Sequence, residues 1–101
     1  MDSKFLTKTN EKSTTKLKPP EDFKVVLLND DFTTMDFVVE VLMVIFHKKL
    51  EDADKIMMDV HLKGKGVVGH YPWDIAATKV EQVHIAARES EFPLRCVLEP
   101  A

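Results

Sequence analysis

A single cysteine, Cys96, is all that the 101 residues carry, so no internal disulfide can staple the fold. Paired metal-ligand spacing is missing too. His61, His70 and His84, taken with Cys96, form neither an HExxH helix motif nor a CxxC knuckle, and no metal or other cofactor is expected. Glycine occurs three times, at Gly64, Gly66 and Gly69, after one expected helix and before or within a strand. That is the wrong order for cradling a phosphate at a helix start. The most apolar stretch, Val38 to Phe46, is about half the length of a membrane span and is interrupted by Glu40. It reads as a buried helix, and no membrane association is expected. The start of the chain has no apolar run of the kind a secretory signal needs, so a cytoplasmic protein is expected.

Excess positive charge is absent as well. The formal net charge is -3, and it is unevenly spread: residues 1–20 hold five lysines against Asp2 and Glu11, a net +3, which leaves -6 on the remainder. An acidic body argues against a nucleic-acid partner. Lysines scattered among Ser, Thr and Asn in residues 1–21 read as a flexible, solvated extension that ends at Pro19-Pro20, followed by one domain over 22–101. With 45% hydrophobic and 31% charged residues, the composition suits one compact globular domain that buries about two thirds of its unfolded surface.

Within that domain KVVLL, Lys24 to Leu28, is a β-branched apolar run closed by the turn-forming Asn29-Asp30-Asp31. Thr33 and Asp36 have the spacing of a capping box, so a helix is expected from there to about Phe46, with Val38, Val41, Leu42 and Ile45 as its inward stripe. A second helix opens with Glu51 and Asp52, repeats the stripe in Ala53, Ile56, Met57 and Val60, and stops at Gly64. Gly66 to Tyr71 reads as a strand. Pro72 suits the first turn of a third helix, whose stripe is Ala76, Val80, Val83 and Ala87 and whose stop lies near Phe92-Pro93. Alternating Leu94, Cys96 and Leu98 make a last strand. The fold class is therefore α+β, a small sandwich of three strands and three helices in the order βααβαβ.

Three groups of residues could carry chemistry. Asp30 and Asp31 have the form of an acid and base pair, yet no nucleophile or water-activating partner accompanies them, and an enzyme is not expected. His61 falls one position after the apolar stripe of helix two, so it and the Asn29-Asp30 loop could border one hollow. Met35, Met57 and Met58 lie near these polar residues in sequence, and methionine can line a pocket that accepts several shapes, although core packing is the default for Met57.

The segments VVLLNDDFTTMDFVVEVL, IMMDVHLKGKGVVGHYPWDIAATKV and PLRCVLE together resemble the ClpS family over about Asp22 to Glu99. Phe32 and Thr34 stand where tyrosine and proline are common in that family. The resemblance implies an adaptor that binds clients whose N-terminal residue is Leu, Phe, Tyr or Trp, the N-degrons of the N-end rule, and delivers them to a ClpA-type AAA+ unfoldase working with the ClpP peptidase. It implies that Asn29, Asp30 and His61 hold the client's α-amino group, and that Thr33, Met35, Val38, Met57, Val60 and Leu94 line or frame the side-chain pocket, with Met35 excluding β-branched residues. An ammonium offers only donors, so an amide oxygen, a carboxylate and a neutral imidazole nitrogen are suitable acceptors. Asp74 and Lys79 match positions that dock on the unfoldase's N-terminal domain, and the extension resembles the segment that the unfoldase engages. A monomer is expected. The alternative is a structural interaction module like the similarly arranged C-terminal domain of the ribosomal stalk protein, which explains the fold but leaves Asn29, Asp30 and His61 without a joint purpose.

Overall fold

The computed structural model describes residues 22–101; the expected extension, 1–21, lies outside the described residues. The elements run β1 (Asp22–Leu28), α1 (Met35–Val44), α2 (Leu50–Lys63), β2 (Lys65–Pro72), α3 (Trp73–Glu89) and β3 (Arg95–Pro100). The order βααβαβ is the expected one. β1 is the central strand of a three-stranded antiparallel sheet, β2-β1-β3, and the helices pack on the sheet as a second layer. Val25 and Leu27 of β1, with no exposed surface, point into that layer and meet Val68, Cys96, Val83 and Leu42 in one core. A register shift between Val25 and Val26 interrupts the β1–β2 ladder.

Several boundaries differ from the expected ones, each for a local reason. The cap of α1 is Thr34, whose hydroxyl accepts from the Phe37 N–H at 3.1 Å, and not Thr33. Thr33 turns instead to the preceding loop, where its hydroxyl donates to the Asp30 carboxylate at 2.7 Å, a charge-assisted bond. α1 ends at Val44 rather than Phe46 because His47, at φ 57, turns the chain. Pro72 closes β2 opposite Asp22 and caps α3 from outside, its ψ of 156 being extended rather than helical. α3 stops at Glu89, short of Phe92-Pro93. Glu91 takes the left-handed conformation there, φ 63, and the Phe92 N–H donates to the Ala87 carbonyl at 2.8 Å, a Schellman ending. Phe92 then stacks on Phe37 with ring centroids 4.8 Å apart. Leu94 precedes β3 instead of belonging to it and is buried in the core.

Two glycines set the seat of α2. Gly64 ends the helix with φ 89 and donates to the Val60 carbonyl. Gly66 lets β2 pass close beneath α2: a Cβ there would stand 2.8 Å from Val60 Cγ2 and 2.9 Å from the Ile56 carbonyl oxygen. No larger residue fits that crossing without displacing backbone.

Candidate functional site

The end of β1 and the end of α2 are joined by one hydrogen bond, from the Asn29 N–H to the Gly64 carbonyl, 2.9 Å. That bond brings the loop after β1 beside the last turn of α2. Between them and the first turn of α1 lies a hollow of about 270 Å³, just under the ~300 Å³ where pockets for drug-sized ligands begin. Its size suits one side chain and a small polar group.

Asn29, Asp30 and His61 supply its polar side, and Thr33, Met35, Val38, Met57 and Val60 complete the wall. Val38 and Val60 are buried at its base, while Met35 stands 43% exposed at the mouth. The periodicity of α1 and α2 makes this apolar surface: Val38 is one turn beyond the first residue of α1, and Met57, Val60 and His61 follow one another at i, i+3 and i+4 on α2. Leu94 is not among the lining residues; it belongs to the core beside Cys96. Met58 does not line the hollow either. Asp31 does, beyond its place in the turn that closes β1. The signal was its place next to Asp30 in a loop already pointed at His61.

Asp30 organises the loop. Its Oδ1 accepts from the Phe32 N–H at 2.8 Å and the Thr33 N–H at 2.7 Å, and its Oδ2 from the Thr33 hydroxyl. Burial pushes its carboxyl pKa up, but the Thr33 hydroxyl and the two amides outweigh this and hold it below the ordinary carboxylate value. A carboxylate has about four acceptor positions. The loop fills three, and among the described residues one on Oδ2 has no partner. The hollow therefore combines an anionic acceptor, an amide and an imidazole at one end with valine and methionine at the other. It can hold a cationic donor joined to an apolar group.

The expected docking residues sit elsewhere, on α3. Asp74 Oδ1 accepts from the Ile75 N–H at 3.0 Å, and Lys79 Nζ donates to the Ile45 carbonyl at 2.6 Å, 5.9 Å from the Phe46 ring centroid. Lys79 thus ties α3 to the end of α1. Cys96 is buried, which pushes its thiol up to about 12, and its backbone N–H donates to His84 Nε2 at 3.0 Å. Among the described residues no cluster of His, Cys, Asp and Glu could hold a metal ion, and no helix is long and apolar enough to cross a membrane.

The model of the ATP-dependent Clp protease adaptor protein ClpS matches residues 18–97. The Clp protease adaptor ClpS of Acetivibrio thermocellus is 60% identical over 83 residues, covering 82% of this chain and 84% of that one. Its counterpart from Wolinella succinogenes is 61% identical over 80 residues, covering 79% and 78%. The solved structure of Agrobacterium tumefaciens ClpS2 bound to L-phenylalaninamide is similar with a TM-score of 0.79 and 37% identity, over 82% of this chain and 100% of that one. With the family model matching residues 18–97 and relatives 60% identical over four fifths of the chain, this chain belongs to the ClpS family of adaptors of the ATP-dependent Clp protease.

Proposed function

We propose that the hollow binds the first residue of a client protein, its free α-amine at Asn29, Asp30 and His61 and its bulky apolar side chain, Leu, Phe, Tyr or Trp, against Met35, Val38, Met57 and Val60. The observation that carries this reading is the pairing, in one small hollow, of an Asp30 acceptor position left open with a methionine and valine wall. An ammonium needs the first, and an apolar side chain needs the second. L-phenylalaninamide, bound by the solved relative, carries both groups. Burying such a side chain contributes about 1.5 to 3 kcal/mol, and the charge-assisted hydrogen bonds to the amine add about 1.5 to 3 kcal/mol each at most. Valine carries similar apolar surface, so its exclusion rests on shape beside Met35.

The client is then delivered to the N-terminal domain of a ClpA-type unfoldase through the α3 face that holds Asp74 and Lys79, in the cytoplasm. On this reading the protein acts as a monomer, one hollow taking one client. It works by binding and delivery rather than by catalysis.

Fluorescence anisotropy with a labelled peptide beginning in Leu tests the reading, beside the same peptide N-acetylated and one beginning in Val. Tight binding of the free Leu peptide alone, weakened about tenfold or more by His61→Ala, is the expected result. Equal binding of all three peptides would remove the mechanism and favour the interaction-module alternative.

A further inference from the structure

Helix α1 carries more apolar surface than the core uses. Val38, Val41 and Leu42 are buried and Val39 is half-buried against the core, but Met43 and Val44 beside it remain 40% and 65% exposed. A helix that is apolar on nearly every side normally has its second face covered. Leu50 and Met57 of α2 stand across from it, and the two helices enclose a trough of about 460 Å³. Asp36, Glu40 and Asp54 stand along this trough as its charged groups.

The trough and the recognition hollow are neighbours. Met57 lines both, and Asp36 of the trough directly follows Met35 of the hollow. Their shared charge is negative, as is that of the body as a whole, -6 over residues 21–101. Like charge disfavours the body of a second copy as occupant and favours a cationic segment.

We propose that the trough is a second docking site for the client chain, taking an apolar residue flanked by Lys or Arg a few positions after the N-terminus. The proposal rests on the N-terminal-residue reading above. A helix is ~10 Å across and an extended chain advances ~3.3 Å per residue, so about three residues carry the client over the Met57 ridge. The fourth to sixth client residues, roughly, then lie on Val39, Met43, Val44 and Leu50, with their cationic neighbours at the three carboxylates. The hollow thus reads the first residue, and the trough selects among clients that share it.

The test compares two labelled peptides beginning in Leu, one with Lys-Phe-Lys and one with Glu-Ser-Glu at the fourth to sixth residues, each also N-acetylated. The first is expected to bind about five- to tenfold more tightly, with the gap narrowing as salt rises to about 0.5 M. Glu40→Lys should weaken the Lys-Phe-Lys peptide about three- to fivefold, while Glu81→Lys, the same charge change on an exposed position of α3, should not. Val44→Ser should weaken that peptide and leave the Glu-Ser-Glu peptide unchanged. Equal affinities for the two peptides, or equal effects of Glu40→Lys and Glu81→Lys, would overturn the trough while acetylation still abolished binding. Acetylated peptides binding as well as free ones would sink the N-terminal-residue reading and this proposal with it. Self-association that Val44→Ser abolishes would assign the trough to a second copy instead.

Discussion

At the hollow, which Asp30 lines, its carboxylate satisfies the loop through three hydrogen bonds. On the outer face of α3, Asp74 and Lys79 turn toward their own chain, Asp74 to the amide of Ile75 and Lys79 to the carbonyl of Ile45. The contrast separates two uses of exposed charge. Open valence alone does not separate them, since Asp74 and Lys79 also keep positions free. Asp30 fixes the loop of a hollow whose other wall is valine and methionine, whereas Lys79 spends its bond in tying two elements together. Lys79 links the helix of the expected docking face to α1, whose other end carries Met35.

The largest test of this contrast is Gly66→Ala. The added Cβ meets Val60 and the Ile56 carbonyl below 3 Å, and overpacking of that kind costs about 1 to 3 kcal/mol. Denaturant unfolding should show the loss, and because Val60 lines the hollow, affinity for a Leu peptide should fall with it. Unchanged affinity in a destabilised variant would show that the hollow does not depend on the α2 seat.

Next in size is Lys79→Met, which leaves the α1 carbonyl without its cation and should cost about 1 to 2 kcal/mol in thermal unfolding with no partner present. A neutral result would return Lys79 to the solvated helix face and erase the contrast. A smaller effect is expected from acid. Because the Asp30 carboxyl titrates below its ordinary value in the fold, the unfolded chain takes up the proton first. Its contribution is present above about pH 4 and is lost as pH falls through the folded value. Wild type should therefore lose its stability advantage over Asp30→Asn as pH falls below about 4, as melting curves at successive pH values would reveal. Smallest is Asp74→Ala, which breaks only a contact to the adjacent residue and should shift stability by less than about 0.5 kcal/mol. A partner-binding defect in that variant would then be a docking effect.

The element order was legible because each helix has its own period and each strand its own turn. Val38, Val41 and Leu42 mark α1, Asn29-Asp30-Asp31 closes β1, and Gly64 ends α2. Boundaries were less legible where two local rules compete. Thr33 and Thr34 can both cap a helix, and the choice fell to Thr34 because Asp30, three residues before Thr33, takes the Thr33 hydroxyl. Phe92-Pro93 looks like the stop of α3, but the Schellman turn at Glu91 comes first, with Phe92 fixed on Phe37, a residue 55 positions away. Leu94, which the resemblance places framing the pocket, shares the core cluster of Val38 and Val60 but is not among the residues that line the hollow.

Composition and periodicity alone determined one acidic α+β domain without disulfide staples, and the spacing of Asn29, Asp30 and His61 already pointed to a hollow, because side-chain period and turn chemistry are local properties. Tertiary structure alone decided which groups share a surface. The Asn29–Gly64 hydrogen bond brings loop and helix together, the Gly66 crossing seats Val60, and Met57 serves two adjoining hollows. Those depend on distances between residues far apart in the chain, which no local pattern encodes.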